Sequence, residues 1–170
     1  LNHAQFRAQV LHGTALAPAR LQAVLADVVQ AVQRQAALVR DVTQVAASAK
    51  LGDAEIIDAR SPSRFRGDEP EPRPGLRAGH IPGAISVPTA DNVDTSGRFR
   101  PAEELRRRFA DVGIDGGAGS DVVVHCGSGI NAAHQIAALA VTGIDATLFP
   151  GSFSQWSSDP ERPVAEGDRP

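Results

Sequence analysis

The sequence contains a single cysteine, Cys126, whose position suits it to act as a nucleophile. It follows the β-branched run Val122-Val123-Val124-His125 and precedes a Gly127-Ser128-Gly129 loop, after which residues 130–141 are mostly apolar. This pattern predicts a strand, a tight loop and a helix, with the cysteine at the end of the strand. Backbone N–H groups of such a loop, together with the positive end of the helix, favour negative charge on the sulfur. We therefore predict a nucleophilic cysteine in an anion-binding loop.

The elements that position this cysteine belong to an alternating pattern that begins after Gly52. Short apolar strands are predicted at residues 55–58, 84–87, 122–125 and 146–149, and helices at residues 101–111 and 130–141. Alternating strands and helices predict an α/β fold with a doubly wound, mainly parallel sheet. Ligands bind beyond the carboxyl ends of the strands in such sheets, which is where Cys126 falls.

The first part of the chain has a different pattern. Residues 17–39 carry apolar side chains at helical spacing, and Asp41 is placed to cap a second short helix that runs to about Lys50. We therefore interpret residues 1–52 as a helical lead-in or interdomain segment and residues 53–170 as the catalytic domain.

Composition excludes several classes of function. One cysteine excludes a disulfide framework or a multi-thiolate zinc site, and none of the five histidines has paired metal-ligand spacing. A net charge of −3 argues against nucleic acid as a partner. No stretch is long and apolar enough to span a membrane, and no signal pattern opens the chain, so we expect a cytoplasmic protein. Because the 170 residues begin with Leu1 and include no methionine, we expect a fragment of a longer protein.

Four blocks of sequence, taken in order, resemble the rhodanese (sulfurtransferase) family over about residues 53–167. The closest likeness is to the carboxy-terminal, catalytic half of its two-domain thiosulfate/3-mercaptopyruvate sulfurtransferases. The blocks are Ile57-Asp58-Ala59-Arg60 with Arg64-Phe65-Arg66-Gly67; Glu69-Pro70-Glu71-Pro72-Arg73; Gly79-His80-Ile81-Pro82-Gly83-Ala84; and Cys126-Gly127-Ser128-Gly129 with Pro150-Gly151-Ser152-Phe153-Ser154-Gln155-Trp156.

The resemblance implies a rhodanese-like fold and a sulfurtransferase activity that needs no cofactor and no metal. Cys126 would take a sulfur atom from a small anionic donor, thiosulfate or 3-mercaptopyruvate, and hold it as a persulfide. The sulfur would then pass to a small thiol, to cyanide or to a thioredoxin-like protein. The resemblance also implies that an N-terminal rhodanese-like domain is missing from this chain.

The same resemblance assigns roles to individual residues. Cys126 is the catalytic residue, and Arg64 and Arg73 are expected to bind the anionic donor, because a guanidinium matches a carboxylate or sulfonate in two-pronged geometry. The loop residues expected to contact substrate are Gly127, Ser128, Gly129, Ile130 and Asn131. Three further residues are expected to be structural and to lie near the site: Asp58, Arg60 and His80.

The neutral Cys-Gly-Ser-Gly loop favours 3-mercaptopyruvate, because thiosulfate-preferring members resemble Cys-Arg-Lys-Gly instead. His125 is expected to lie in the core, because strand alternation points it away from Cys126. Trp156 is expected to pack the last helix against the sheet. Asn131 and Phe153 depart from the threonine and tryptophan common in the family.

Two other functions stay open from the sequence. The domain could be a non-catalytic binding or redox module, although such a module has no need for an anion cradle around a thiol. A cysteine phosphatase is less compatible, because its chemistry needs an arginine six positions after the cysteine, where this chain has Ala132.

Overall fold

The structure is a computed structural model that describes residues 38–117 and 119–170. Four short strands form one parallel sheet in the order β2-β1-β3-β4. The strands are β1 (Glu55–Asp58), β2 (Ala84–Ser86), β3 (Val122–His125) and β4 (Thr147–Leu148). The predicted parallel α/β sheet is thus confirmed, with β2 and β4 slightly shorter than their apolar runs.

The strands alternate with helices, as predicted. The helices are α1 (Val42–Leu51), α2 (Pro62–Arg66), α3 (Ala102–Ala110), α4 (Ile130–Thr142) and α5 (Ser152–Ser158), with one turn of 3-10 helix at Thr89–Asn92. Asp41 caps α1 as expected, since its side chain accepts hydrogen bonds from the amides of Thr43 and Gln44. The short helix α2 was not predicted, because five residues are too few to show a period.

Side chains alternate between the two faces of the sheet and form two cores. On one face, Ile57 and Val124 pack with residues of α3 and α4, among them Leu105 and Leu139. On the other face, Ile56 and Val123 pack with residues of α1, α2 and α5, among them Val45, Phe65 and Trp156. Helices cover both faces, which is the doubly wound arrangement. Trp156 lies where it was expected, packing the last helix against the sheet.

The domain boundary at residue 52 stays a prediction, although Val45 shows that α1 shares a core with the sheet. Most of the helix predicted for residues 17–39 lies outside the described residues. In the described part of the chain, no helix is long and apolar enough to cross a membrane.

Candidate active site

Cys126 lies directly after β3, at the carboxyl end of one of the two central strands. Its residue surface is only 3% exposed. The loop turns into α4 through Gly129, whose φ of 90° is readily adopted only by glycine. The amide of Gly129 donates a hydrogen bond to Sγ of Cys126 over 3.1 Å. The structure therefore contains a main-chain N–H donor aimed at the sulfur.

Three other residues at this loop are open to solvent. Ser128 and Asn131 are exposed, and Ile130, the first residue of α4, is 78% exposed. In the part of the chain that the structure describes, the amide of Gly129 is the loop donor that reaches the sulfur. Substrate contacts of the loop residues stay a prediction for all five: Gly127, Ser128, Gly129, Ile130 and Asn131.

Arg64 lies in α2, in the connection between β1 and β2, and its side chain reaches the loop that carries Cys126. A Cβ atom built on Gly127 would lie 3.0 Å from Nη2 of Arg64 and 3.4 Å from Nη1. The guanidinium therefore packs against the peptide that follows the cysteine. The Arg64 side chain is 22% exposed, so it remains open to solvent and to an anion.

A carboxylate that the sequence reasoning did not single out, Glu71, holds this arginine. Its side chain is 1% exposed and accepts hydrogen bonds from Nη1 of Arg60 over 2.7 Å and from Nη2 of Arg64 over 2.5 Å. A buried carboxylate needs cationic partners of this kind to offset its desolvation. Glu71 lies in the Glu-Pro-Glu-Pro-Arg block, and only its place in that block could have drawn attention to it.

Asp58 and Arg60 form a buried ion pair at the end of β1. Nε of Arg60 lies 3.0 Å from both carboxylate oxygens of Asp58, and its Nη2 donates to the carbonyl of Gly79 over 2.7 Å. The guanidinium also stacks on the ring of Phe153, 4.0 Å from its centroid. Arg60 therefore ties the end of β1 to the loop before β2 and to α5.

His125 lies fully buried beside this pair. Its Nε2 is 3.7 Å from Oδ2 of Asp58 and has no hydrogen-bond partner among the described residues. Burial lowers the pKa of His125 below its ordinary value, against the opposing pull of Asp58. Burial raises the pKa of Asp58, but the charges and hydrogen bonds of His125 and Arg60 outweigh it and leave that pKa lowered. Two partners therefore favour the ionised form of Asp58, Arg60 and, when it is protonated, His125.

His80 is also fully buried, and it faces main-chain carbonyl groups. Its ring stacks on Phe65 at 3.7 Å between centroids, with Nδ1 2.8 Å from the carbonyl oxygen of Phe65 and Nε2 3.0 Å from that of Arg169. These contacts join the loop before β2 to α2 and to the last residues of the chain. They fit the structural role predicted for His80.

An open cleft of about 430 Å³ lies beside the loop. Ser128 and Arg73 share its lining, and among the described residues that line it Arg73 is the one with a charge. The remaining lining residues are Leu76, Pro150, Gly151, Ser154, Gln155 and Ser158. The structure thus brings Arg73 and Ser128 to one cleft, whose lining does not include Cys126 or Arg64, and places Arg64 against Gly127 of the loop.

A cysteine lies at the carboxyl end of a central strand of a parallel α/β sheet, in a glycine loop that leads into a helix, and this arrangement favours negative charge on the sulfur. The Rhodanese-like domain family matches residues 41–159. The chain belongs to this family.

Named relatives and a solved structure agree with this assignment. The chain is 51% identical over 126 residues to "Putative thiosulfate sulfurtransferase SseB" of Mycobacterium tuberculosis, covering 74% of this chain and 43% of that protein. It is 39% identical over 124 residues to 3-mercaptopyruvate sulfurtransferase of Escherichia coli K12, covering 72% and 43%. The crystal structure of Tum1 from Saccharomyces cerevisiae superposes with a TM-score of 0.69 at 28% identity, covering 80% of this chain and 48% of that one. The chain thus spans less than half the length of these relatives.

Proposed function

We propose that this domain transfers sulfur through a persulfide on Cys126. In the first step Sγ attacks the outer sulfur of the donor, forming an S–S bond on the protein. With thiosulfate, the S–S bond of the donor breaks and sulfite leaves with the electron pair. With 3-mercaptopyruvate, the C–S bond breaks, and the carbon takes up a proton to give pyruvate. The observation that carries this proposal is the Gly129 amide, which donates to the sulfur that would bear the charge.

In the second step an acceptor thiolate or cyanide attacks the outer sulfur of the persulfide. The bond between the two sulfurs breaks, the transferred sulfur leaves with the acceptor, and Cys126 is regenerated as a thiolate. The two steps form a double displacement, in which the donor product departs before the acceptor reacts.

Two arginines supply the positive charge for an anionic donor. Arg73 lines the cleft and has no carboxylate among its lining neighbours, so it is the cation best placed to bind the charged end of the donor. Arg64 lies at the loop itself, but Glu71 offsets most of its charge. We infer that both arginines bind the donor, Arg73 at its charged end and Arg64 at its reacting end beside Cys126.

This distribution of charge favours a donor with a single negative charge. 3-Mercaptopyruvate carries one carboxylate, whereas thiosulfate carries two charges, and the loop residues Gly127, Ser128 and Gly129 offer no cation. We therefore propose a preference for 3-mercaptopyruvate, with a small thiol, cyanide or a thioredoxin-like protein as acceptor.

The length of the relatives supports a second domain as a partner. Because the chain covers 43% of the two named sulfurtransferases, we propose that an N-terminal rhodanese-like domain completes the cleft in the whole protein. A cytoplasmic location stays part of this proposal.

A sulfur-transfer assay to cyanide, read as thiocyanate, tests the function. We expect turnover with 3-mercaptopyruvate, a lower kcat/KM with thiosulfate, and no turnover by Cys126→Ser with either donor. Equal turnover by Cys126→Ser would contradict the role of the cysteine, and a higher kcat/KM with thiosulfate would contradict the donor preference.

A further inference from the structure

Ser152, the first residue of α5, has a backbone conformation that its side chain does not favour. Its φ is 53°, and among the described residues it is the one non-glycine residue with a positive φ. The preceding Gly151, which would adopt that conformation without strain, has a φ of −62° instead. Ser152 is also completely buried. Strain of this kind persists only where surrounding contacts hold it, and it concentrates at functional sites.

The contacts of the Ser152 hydroxyl lead directly to the nucleophile. Its Oγ accepts a hydrogen bond from the amide of Cys126 over 3.2 Å and donates one to the carbonyl of Phe149 over 3.0 Å. The hydroxyl therefore fixes the peptide that carries Cys126 to the chain just after β4.

The next two residues of α5 hold the two following peptides, those after Cys126 and after Gly127. The amide of Phe153 donates to the carbonyl of Cys126 over 3.0 Å, and the amide of Ser154 donates to the carbonyl of Gly127 over 3.1 Å. In a trans peptide the N–H points opposite to the C=O. With both carbonyl groups turned toward α5, the amides of Gly127 and Ser128 point away from α5.

The backbone segments at Gly129 and Pro150 also lie close together. A Cβ atom on Gly129 would lie 3.0 Å from the carbonyl oxygen of Pro150, so the chain before Ser152 also lies against the residue whose amide reaches Sγ. With a positive φ at Ser152, the hydroxyl of Ser152 and the amides of Phe153 and Ser154 all face the loop.

We propose that Ser152 is a positioning residue for the sulfur chemistry, acting through the main chain of Cys126 and its loop. This inference rests on the proposed function. The hydroxyl holds the amide of Cys126 in place beside the loop whose Gly129 amide donates to Sγ, and the backbone with a positive φ is the conformation in which this contact is made. Loss of the hydroxyl would loosen the reacting sulfur without removing any group that binds the donor.

The test compares Ser152→Gly with Ser152→Ala in the full chain. Glycine accepts the positive φ without strain, so Ser152→Gly removes the hydroxyl while keeping the backbone conformation. We expect kcat for sulfur transfer to fall by about tenfold or more in both variants, with the donor KM changing less than about twofold, because a small misplacement of a reacting group mainly slows chemistry. Both variants lose the hydroxyl hydrogen bonds, and Ser152→Gly is expected to lower the melting temperature less than Ser152→Ala because glycine also relieves the strain of the positive φ.

Ser157→Ala is the matched control. Ser157 is a buried serine of the same helix, and its hydroxyl donates within the helix, to the carbonyl of Phe153 over 2.8 Å. We expect it to lower the melting temperature with kcat unchanged. Wild-type kcat in Ser152→Gly would overturn the proposal, as would an equal loss of kcat in Ser157→Ala.

The rate of Cys126 alkylation by iodoacetamide, measured across pH, separates this inference from the proposed function. If the wild-type chain accepts no sulfur from either donor, the proposed function fails, but the alkylation profile still reports how the thiol is held. We expect Ser152→Gly to change that profile while Ser157→Ala matches the wild type. Identical profiles for all three proteins would overturn the role of Ser152.

Discussion

The guanidinium of Arg64 occupies the space in which Gly127 would carry a side chain. Its Nη2 lies 3.0 Å from the position of a Cβ atom on Gly127, and Glu71 holds it there from the other side. Gly127, the residue after Cys126, is thus constrained by an arginine that lies between β1 and β2. This contact links an arginine that we propose binds the donor to the loop that holds the sulfur.

Gly127→Ala is expected to displace Arg64 and raise the donor KM by about tenfold, the loss typical of a misplaced charge-assisted contact. The φ of Gly127 is not in the left-handed region, so the effect is steric rather than a matter of backbone strain. Steady-state kinetics with 3-mercaptopyruvate measure it. Gly117→Ala, also at a glycine without a positive φ, is the control and is expected to leave KM unchanged. An unchanged KM in Gly127→Ala would show that the contact has no role in donor binding.

Glu71→Gln is expected to lower the free energy of unfolding by about 3 kcal/mol, because it leaves the buried Arg60 and the partly buried Arg64 short of negative charge. Urea unfolding followed by circular dichroism measures this loss. Asp68→Asn removes a carboxylate from an exposed pair with Arg66 and is expected to cost less than about 1 kcal/mol. Similar losses in the two variants would contradict the special role of Glu71.

Arg73→Ala is expected to raise the donor KM by about tenfold or more, because it removes the charged lining residue of the cleft. Saturating donor is expected to restore most of kcat, since Arg73 binds the donor and does not hold Cys126. Arg66→Ala provides the comparison, because Arg66 pairs with Asp68 and Asp168 away from the cleft. A larger effect on KM from Arg66→Ala than from Arg73→Ala would reverse the assignment.

The stability of the domain is expected to fall as the pH drops from about 7 toward 5, because of His125. Burial lowers the pKa of His125 in the folded protein, so below its ordinary value of about 6.5 the unfolded chain binds a proton that the folded chain does not. The loss cannot exceed about 1.4 kcal/mol per pH unit for one group. The lowered pKa of Asp58 adds a separate loss only below about pH 4, where the unfolded carboxyl takes up its proton first.

Melting temperatures of the wild type and His125→Gln between pH 5 and 8 check this expectation. His125→Gln is expected to flatten the dependence, whatever its effect on stability at pH 7. His134→Gln, at a partly exposed histidine that contacts Thr89, is expected to keep the wild-type slope. A slope that persists in His125→Gln would assign the effect to another group.

Much of the fold could be predicted from the sequence, because its elements show local patterns. The β-branched run before Cys126 marked β3, the spacing of apolar residues marked α3 and α4, and Asp41 marked the start of α1. The loop that carries Cys126 could be predicted from the same kind of local pattern.

The contacts that organise the site could not be predicted in this way. Glu71 meets Arg60 across a loop without a period, so no pattern joins the two residues. At Gly151 and Ser152 the residue types point to a positive φ on the glycine, whereas tertiary contacts place it on the serine. Local preference is overridden here by hydrogen bonds to the main chain of Cys126, which only the folded structure reveals.

Intact-mass spectrometry of the full chain tests the central claim most directly. After incubation with 3-mercaptopyruvate and removal of excess donor, we expect the wild type to gain the mass of one sulfur atom, to lose it on addition of cyanide, and Cys126→Ser to gain nothing. An unchanged wild-type mass with both 3-mercaptopyruvate and thiosulfate, or the same gain in Cys126→Ser, would contradict a persulfide on Cys126.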